Sequence, residues 1–563
     1  MKAKILIAWL MVFLAVIVAA CSNGNEEEDK AATPVANDAS AQTSQAEGET
    51  NGDAGSSEAI DPFARYEEPV EVSMGIFFNP GDKTLPEGDT PSNNIYTRFL
   101  EEKMNVKVKA EWQAPFGEAY NQKIKLVIAS NDMPDAMQIF NYDDLQSLIK
   151  NDMLEDLTDV VDQYAPPVIK DIYASTNGEA FKAATVNGRL YAIPFVRPTA
   201  DSVNLLWIRK DWLDQLGLQP PKTLEDVEAI AMAFKENNPN GFKDAVGLPG
   251  NKSILGLNNA NYSFNSIFNV YHAYPLNWLK DASGNITYGS IQPEVKEALG
   301  RLRDMYAEGI IDKEFALRQD VNELIISGKA GMMFYPWWAP YYPLNEAMKQ
   351  DPEAEWVPYL APFDGEGVFN TQISATTDSW MVVRKGYEHP EAVVKAVSLM
   401  NHDKNDPEIQ ALAATGVSDE NNPFRIILGY ADRLERISKS IHDVLEGSAK
   451  AEELTGDAKR MYDHYMASKD DPINHLESWT NGYSYVAGGK PLLEPMNKVP
   501  SEFTGLTKTM MTKMANLEKL RDEVFIKIIM GDAPLDAFDQ FVIDWKKQGG
   551  DEITAEVQAA VQQ

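Results

Sequence analysis

The chain has 563 residues and carries 85 acidic against 51 basic side chains, which gives a formal net charge of −34 at pH 7. A charge of this sign and size argues against binding nucleic acid or an anionic lipid surface through a basic patch. Its only cysteine is Cys21, so disulfides within the chain are excluded and stability must come from hydrophobic cores. The roughly 500 residues after the first 65 are enough for two or three such cores.

The amino terminus has the layout of an export signal. A basic start, 1–4, precedes the uncharged apolar run 5–20, and small residues then lead to Cys21. Because the run is short for a transmembrane helix, we expect a signal peptide over 1–20 and a lipid-modified Cys21, which anchors the protein at the extracellular face of the cell membrane. An ordinary signal peptide followed by an incidental cysteine is the alternative.

The next segment predicts a disordered tether over 21–65. Residues 22–57 contain no aromatic residue and almost no large aliphatic one. Such a segment cannot bury enough apolar surface to offset its ordering entropy. The folded part of the chain is therefore expected to begin near Tyr66.

From there the pattern alternates between strands and helices. Strands are predicted at 70–78, 106–112 and 135–140, with helices at 95–104 and 120–130 between them. This order predicts an α/β fold with a mainly parallel sheet covered by helices. Ligands bind beyond the carboxyl ends of the strands in such sheets. Each end places an aromatic residue beside an amide, and the candidate ligand-binding residues there are Phe78, Asn79, Trp112 and Gln138.

A second unit is predicted from about residue 200. Its predicted elements include strands at 205–209 and 328–335 and helices at 210–216, from 223 onward, at 293–308 and from 390 onward. The chain is mostly helical after about residue 405, and the Gly- and Pro-rich stretch 487–503 is predicted to be irregular.

Four local patterns follow one another in this order: 187–194 (NGRLYAIP), 209–226 (RKDWLDQLGL, then PPKTLED), 328–333 (GKAGMM) and 531–539 (GDAPLDAFD). Together they resemble the bacterial extracellular solute-binding proteins, family 1, of carbohydrate ABC importers, and among these the large Gram-positive lipoproteins. The patterns and the strands around them span about residues 70–545.

The resemblance implies a two-lobed, periplasmic-binding-protein-like fold of type II with an interlobe cleft and a hinge. We expect lobe 1 over 66–200 plus about 370–450, lobe 2 over 201–369 plus about 451–563, and crossing segments near 195–205 and 365–380. The implied function is that of a monomeric substrate-binding lipoprotein, which captures an oligosaccharide or a similar polar solute by lobe closure. It would deliver the solute to the transmembrane subunits of an ABC permease.

Two adjacent tryptophans, Trp337 and Trp338, are the leading candidates for sugar binding. Pyranose rings stack on aromatic faces, and their hydroxyls pair with amides, carboxylates and arginine. Flanked by Pro336 and Pro340, the two indoles cannot both point into one core, since successive side chains of a strand alternate. One packed inside and one exposed on the surface is the alternative.

The other candidates have equally simple structural explanations. Arg197, just past the predicted hinge strand, is a donor to a hydroxyl or carboxylate, or else part of a surface ion pair. Phe78 and Trp112 are in the cleft or close the core. Tyr271 and Trp479 are weaker candidates.

No catalytic residue, cofactor or metal is predicted. Relatives often have an Asp-rich calcium loop where this chain has 237–244, but here only Asp244 is acidic, and calcium prefers several carboxylates. The chain has no His-Glu-x-x-His, Gly-x-Ser-x-Gly or P-loop motif. Two alternatives stay open: an exported glycoside hydrolase, which needs two facing carboxylates, and the binding component of a peptide importer.

Overall fold

The computed structural model describes residues 61–237, 239–257, 260–318, 320–402 and 406–562. The predicted signal peptide, Cys21 and the predicted tether up to residue 60 lie outside these residues. None of the helices in the described residues combines the length and the hydrophobicity that crossing a membrane requires.

The strands are numbered in chain order within the described residues. Strands β1 to β14 are Val70–Phe78, Val106–Pro115, Ala136–Ile139, Thr185–Val186, Arg189–Leu190, Ala192–Pro194, Leu205–Arg209, Trp278–Lys280, Ile286–Tyr288, Met332–Tyr335, Trp356–Tyr359, Asn370–Gln372, Trp380–Val383 and Asn497–Val499.

The helices are numbered in the same way. Helices α1 to α19 are Ile95–Met104, Glu118–Ser130, Tyr142–Lys150, Thr158–Tyr164, Pro167–Ala174, Lys210–Leu216, Leu224–Asn237, Asn265–Val270, Pro293–Glu308, Asn322–Ile326, Asn345–Gln350, Pro390–Leu399, Pro407–Ala414, Arg433–Leu445, Gly456–Ser468, Leu476–Val486, Met510–Met530, Ala537–Trp545 and Asp551–Val561.

Several predicted elements are confirmed, because local chemistry fixes their ends. The side chain of Asn94 accepts hydrogen bonds from the backbone N–H groups of Tyr96 and Thr97, which caps the start of α1. Helix α6 ends at Gly217, whose φ of 68° is a left-handed conformation that glycine adopts without strain. The stretch 487–503 is less irregular than predicted, since it contains β14, which pairs with β12.

Lobe 1 is built on a five-stranded sheet with the order β2-β1-β3-β13-β6. Strands β1, β2 and β3 are parallel, whereas β13 is antiparallel to both β3 and β6. Side chains alternate between the two faces: Val72 and Met381 pack in one hydrophobic core, and Met137 and Val382 pack in the other. The sheet is therefore buried on both faces.

Lobe 2 is built on an antiparallel sheet with the order β10-β7-β11. Alternation along β7 again separates two cores, with Leu206 and Ile208 on one side and Leu205 and Trp207 on the other. Most of the helices from α6 to α11 and from α14 to α19 pack around these two cores. The type II, two-lobed α/β fold follows from these two separate sheets.

The described chain passes between the lobes at three places. Val196 belongs to a lobe 1 core and Ala200 to a lobe 2 core. The chain returns between Phe369 and Met381, and it leaves lobe 1 again between Leu428 and α14. Helix α14 packs in lobe 2, about twenty residues before the boundary predicted near 450.

Candidate ligand-binding cleft

A cavity of about 500 Å³ lies where the two lobes meet the crossing segments. Lobe 1 contributes Phe140 and Tyr142, which follow β3, and Trp380 at the start of β13. The crossing segments contribute Arg197 and Asp378. The wall from lobe 2 is mostly apolar, and its larger side chains are Leu257, Leu276, Trp278, Tyr288, Phe503, Leu506, Met510, Met514 and Glu518.

The topology of the lobe 1 sheet explains why these residues converge. Parallel strands β1 and β3 end at the same edge of the sheet, and the antiparallel strand β13 begins there. The register pairs Trp380 with Ile139, so Phe140 leaves the sheet beside the first residue of β13. This is the edge at which ligands bind in open α/β sheets.

Aromatic rings extend the lobe 1 wall outward from Phe140. Its ring centroid lies 5.4 Å from that of Phe77 and 5.2 Å from that of Phe116. Phe116, just after β2, is 57% exposed. An exposed aromatic residue at the rim of a cavity is a ready surface for the apolar face of a sugar ring.

The lining of the cavity includes an ion pair and two unpaired donors. Arg197 Nη2 is paired with Asp378 Oδ2, and the guanidinium lies 5.2 Å from the ring centroid of Phe195. Arg197 Nε and Trp380 Nε1 are buried, and neither has a hydrogen-bond partner. A buried donor without an acceptor is destabilising, and both of these nitrogens are closed off from solvent in this structure.

Trp337 lies against the same crossing segment, and neither Trp337 nor Trp338 lines this cavity. Trp337 Nε1 donates to Asp201 Oδ1 at 3.0 Å, four residues beyond Arg197. Both indoles are half-buried, and they contact each other edge-to-face with centroids 5.8 Å apart. Burial raises the pKa of Asp201, although the indole hydrogen bond opposes this rise. The pair is thus neither sealed in a core nor free on the surface.

Tyrosines complete the surroundings of this indole pair. The ring centroids of Tyr485 and Tyr341 lie 5.0 and 6.4 Å from that of Trp337. Arg433, near Asp201, is ion-paired with Asp457. The crossing segment 197–201 therefore connects the cavity, through Arg197, to an aromatic cluster of lobe 2, through Asp201.

The remaining candidates of lobe 1 are used in local structure. Asn79 accepts a hydrogen bond from the backbone N–H of Gly81 and donates to Glu420 Oε2 at 3.3 Å. Gln138 is buried and donates to Ser379 Oγ at 3.2 Å, directly before Trp380. Phe78 is half-buried, and its carbonyl accepts a hydrogen bond from the N–H of Phe116.

The structure places Trp112 within β2 and not at the carboxyl end of the strand. The β1–β2 register shifts between Met74 and Gly75, so that Trp112 is opposite Gly75 and packs against Tyr120 of α2. A Cβ atom at Gly75 would come within 2.2 Å of the indole. This bulge turns Trp112 toward the core beneath α2 and away from the cavity.

Tyr271 and Trp479 are both in lobe 2 and away from the cavity. Trp479 is buried, and it stacks on Tyr483 with centroids 5.2 Å apart. Tyr271 follows α8 and packs at the edge of the core, near Arg301. Of the nine residues named from the sequence, Arg197 is the one that the described cavity includes.

The two lobes touch beside the cavity. The rings of Tyr142 from lobe 1 and Phe503 from lobe 2 lie edge-to-face with centroids 5.0 Å apart. On the next residue, burial and the carboxylate of Glu556 in α19 raise the pKa of Asp143 to about 6. Carboxylates from both lobes thus face each other across this contact.

Sequence reasoning missed most of the cavity lining, namely Phe140, Trp278, Asp378, Trp380, Phe503 and Glu518. A signal existed for Phe140, because it is the last residue of the strand predicted at 135–140. No comparable signal existed for Glu518, since its position on α17 reads as an ordinary solvent-facing acid until the fold brings that helix to the cleft.

The loop 237–244 is tied to lobe 2 by a surface ion pair, with Asp244 Oδ2 2.6 Å from Lys329 Nζ. Residue 238 lies outside the described residues. Among the residues that the structure describes, no group of three or more His, Cys, Asp or Glu side chains is placed to hold a metal ion.

A family comparison identifies the class of protein that has this architecture. The family model of the bacterial extracellular solute-binding proteins matches residues 82–406, more than half of the chain. The chain belongs to this family. The resemblance drawn from the four sequence patterns is thereby confirmed.

Two relatives illustrate the range of the family. This solute-binding protein is 25% identical to lipoprotein LipO of Bacillus subtilis over 484 residues, which cover 83% of this chain and 88% of LipO. It is 29% identical over 284 residues to the fructooligosaccharide ABC transporter substrate-binding protein FusA of Streptococcus pneumoniae, a match that covers 47% of this chain and 50% of FusA.

Solved structures agree with the fold of this solute-binding protein. An extracellular solute-binding protein from Bifidobacterium longum subsp. infantis superposes with a TM-score of 0.52 at 17% identity, over 88% of this chain and 98% of that one. At this identity the likeness concerns the fold alone.

Proposed function

We propose that this protein captures an oligosaccharide between its two lobes and passes it on chemically unchanged. The observation that supports this most directly is the cavity between the lobes, whose walls combine aromatic rings with an arginine–carboxylate pair. Aromatic faces suit the C–H surface of a sugar ring, and unpaired donors suit its hydroxyl oxygens. The name of FusA, which refers to fructooligosaccharides, points the same way.

The site residues that we propose fall into two groups. Phe140, Arg197 and Trp380 contact the solute in the cavity. Trp337 and Trp338 contact it, or its next sugar unit, from the neighbouring aromatic cluster. The two groups share the crossing segment 197–201, so an extended ligand can reach both.

We propose that closure of the lobes signals to the permease that a solute is bound. The chain crosses between the lobes at 196–200, 369–381 and 428–434, and short crossing segments of this kind can act as a hinge. A solute that contacts both walls favours the closed form, whereas one with equal affinity for both forms would change nothing. The closed form is then recognised by the membrane subunits of an ABC permease.

We propose that the protein is held at the outer face of the cell membrane by a lipid on Cys21. Support comes from the basic, apolar and small-residue order that precedes this cysteine, and from the lipoprotein designation of LipO. The acidic charge of the chain is compatible with a tethered, monomeric protein that does not bind anionic lipid directly.

A ligand panel tests this function. Thermal unfolding is measured with neutral and acidic oligosaccharides and with peptides, because a ligand at a hundred times its Kd adds about 2.7 kcal/mol of stability. We expect at least one oligosaccharide, and no peptide, to raise the melting temperature. Assays for new reducing ends after prolonged incubation should be negative. Hydrolysis of the stabilising sugar, or stabilisation by peptides alone, would contradict the proposal.

A further inference from the structure

The charged groups of the cavity indicate which sugars it accepts. On the proposed function, in which the solute is an oligosaccharide, we propose that the cavity selects uncharged sugars over those that carry a carboxylate. Glu518 of α17 is then the side chain that rejects a uronic acid. This goes beyond binding of sugars in general, because it names the class of sugar and the residue that decides it.

The first step is the balance of charge in the cavity lining. Among the described residues that line the cavity, Arg197, Asp378 and Glu518 carry the formal charges. Arg197 is already paired with Asp378, so its charge is largely offset. Glu518 is half-buried and forms no salt bridge among the described residues, although its carboxylate interacts electrostatically with the buried Arg521 behind the wall. The residues that line the cavity therefore have a formal net charge of −1, and Glu518 is the acid in excess.

The second step is the environment behind the lobe 2 wall. Tyr288 lines the cavity, and its hydroxyl accepts a hydrogen bond from Arg521 Nη1 at 3.0 Å. The Nε of this buried arginine lies 2.8 Å from Asp522 Oδ1. The second cation near the cavity is thus also matched by a carboxylate. Both arginines are thus already paired with a protein carboxylate, although Arg197 Nε has no acceptor of its own.

The third step is what a uronic acid would meet on entry. Its carboxylate would lose water in a cavity walled mainly by aromatic and aliphatic groups, and it would face the carboxylates of Asp378 and Glu518. Desolvation without a new counter-charge and repulsion between like charges both weaken binding. A neutral sugar meets neither cost, and its hydroxyls can donate to these same carboxylates.

Matched sugar pairs test the inference. Each uronic-acid oligosaccharide is compared with its carboxyl-reduced counterpart, which has the same length and linkages but no charge, by isothermal titration at low and moderate salt. For the sugars that bind, we expect the neutral form to bind at least about tenfold more tightly, equivalent to about 1.4 kcal/mol. This ratio should shrink as salt rises.

Two variants assign the effect to named groups. Glu518→Gln should raise the affinity for the uronic acid several-fold relative to that for its neutral counterpart. Asp378→Asn, which frees Arg197, should also favour the uronic acid. Glu523→Gln on the same helix is the control, because Glu523 is outside the lining and lies 3.9 Å from Lys519 on an exposed face. Melting temperatures establish that each variant is folded.

The experiment distinguishes failure of the charge rule from failure of the proposed function. A wild-type protein that binds the uronic acid as tightly as its neutral counterpart, or a Glu518→Gln variant with an unchanged ratio, overturns the charge rule but leaves the proposed function standing. If no oligosaccharide of either kind binds, the proposed function fails and the inference fails with it.

Discussion

At the scale of single residues, the hydrogen bond between Trp337 and Asp201 joins an aromatic cluster of lobe 2 to a crossing segment. Asp201 is half-buried, and this burial raises its pKa. A buried carboxylate is costly unless donors and cations surround it. The indole N–H is one such donor, and Arg197 and Arg433 supply positive charge nearby.

Trp337→Phe keeps an aromatic ring but removes the N–H that Asp201 accepts. We expect a loss of about 1 kcal/mol in the free energy of unfolding at neutral pH, because a partly buried acceptor loses its partner. Urea unfolding measures this loss. Trp338→Phe is the matched control, since no hydrogen bond from its Nε1 is present among the described residues. An equal loss in both variants would show that the Trp337–Asp201 bond has no special role.

Two residues show how much of the candidate site could be predicted from the sequence. Arg197 was predictable as a candidate because it follows a strand that leads into a hinge. Trp112 was predicted to end its strand, but β2 continues to Pro115, and the strand pattern alone does not reveal the bulge that places Trp112 opposite Gly75. Sequence locates residues along a strand, but register decides which way they point.

At the scale of elements, the contact beside the cavity brings α3 of lobe 1 against the segment before α17 and against α19 of lobe 2. Tyr142 packs on Phe503 and on Gly505, and a Cβ atom at Gly505 would lie only 2.3 Å from the Cβ of Tyr142. The absence of a side chain at Gly505 thus permits the lobes to approach this closely.

Gly505→Ala should hold the lobes apart. Overpacking of this kind costs about 1–3 kcal/mol, so we expect the affinity for the sugar to fall about tenfold or more, while the melting temperature of the free protein changes little. Isothermal titration gives the affinity. Gly365→Ala is the control, because nothing lies within 4 Å of a Cβ atom at that position. Unchanged affinity in Gly505→Ala would contradict closure at this contact.

Acidification should strengthen sugar binding through the same contact. The charged neighbours of Asp143 on α3 are Glu556 on α19, Asp144 on its own helix and Lys125 on α2. Burial and the two carboxylates raise the pKa of Asp143 to about 6, although the charge of Lys125 opposes this rise. With the lobes apart, the pKa returns toward the ordinary value of about 3.9. The closed form then binds more protons between these two values, so lowering the pH from 7.5 to 5 favours closure.

The affinity for the stabilising sugar, titrated from pH 7.5 to 5, measures this effect. We expect Asp143→Asn to bind more tightly than wild type at pH 7.5 and to lose the rise on acidification. Asp159→Asn, at an exposed position on α4, should keep the wild-type profile. A wild-type affinity that falls as the pH drops would refute this explanation.

The bounds of individual strands and helices were more predictable than the elements with which they pair or pack. The bounds of β1, α1, β7 and α6 follow from periodicity, capping and a terminal glycine. Strand β14 was not predicted, because its three residues show no buried alternation and it forms only by pairing with the distant β12. The contribution of α17 to the cavity was likewise inaccessible, since it depends on how the carboxyl-terminal helices pack on lobe 2.

At the scale of the whole molecule, two sheets of different topology and three crossings between them make the cleft. The order of the sequence patterns was enough to predict the family and the two-lobed fold, because each pattern marks a turn or strand that the fold reuses. The composition of the cleft was not predictable, because its walls come from segments more than 300 residues apart, such as Phe140 and Phe503. Ligand binding therefore depends on residues from both walls of the cleft.

The most direct test of the account is a titration of the sugar that stabilises the protein most, against wild type, Arg197→Ala and Arg98→Ala. Arg197 is in the cavity, whereas Arg98 forms an exposed ion pair with Asp89 elsewhere on lobe 1. We predict that Arg197→Ala weakens binding at least about tenfold, a change of about 1.4 kcal/mol, and that Arg98→Ala binds like wild type. An Arg197→Ala variant that is folded and binds the sugar with wild-type affinity would contradict the claim that the interlobe cavity is the binding site.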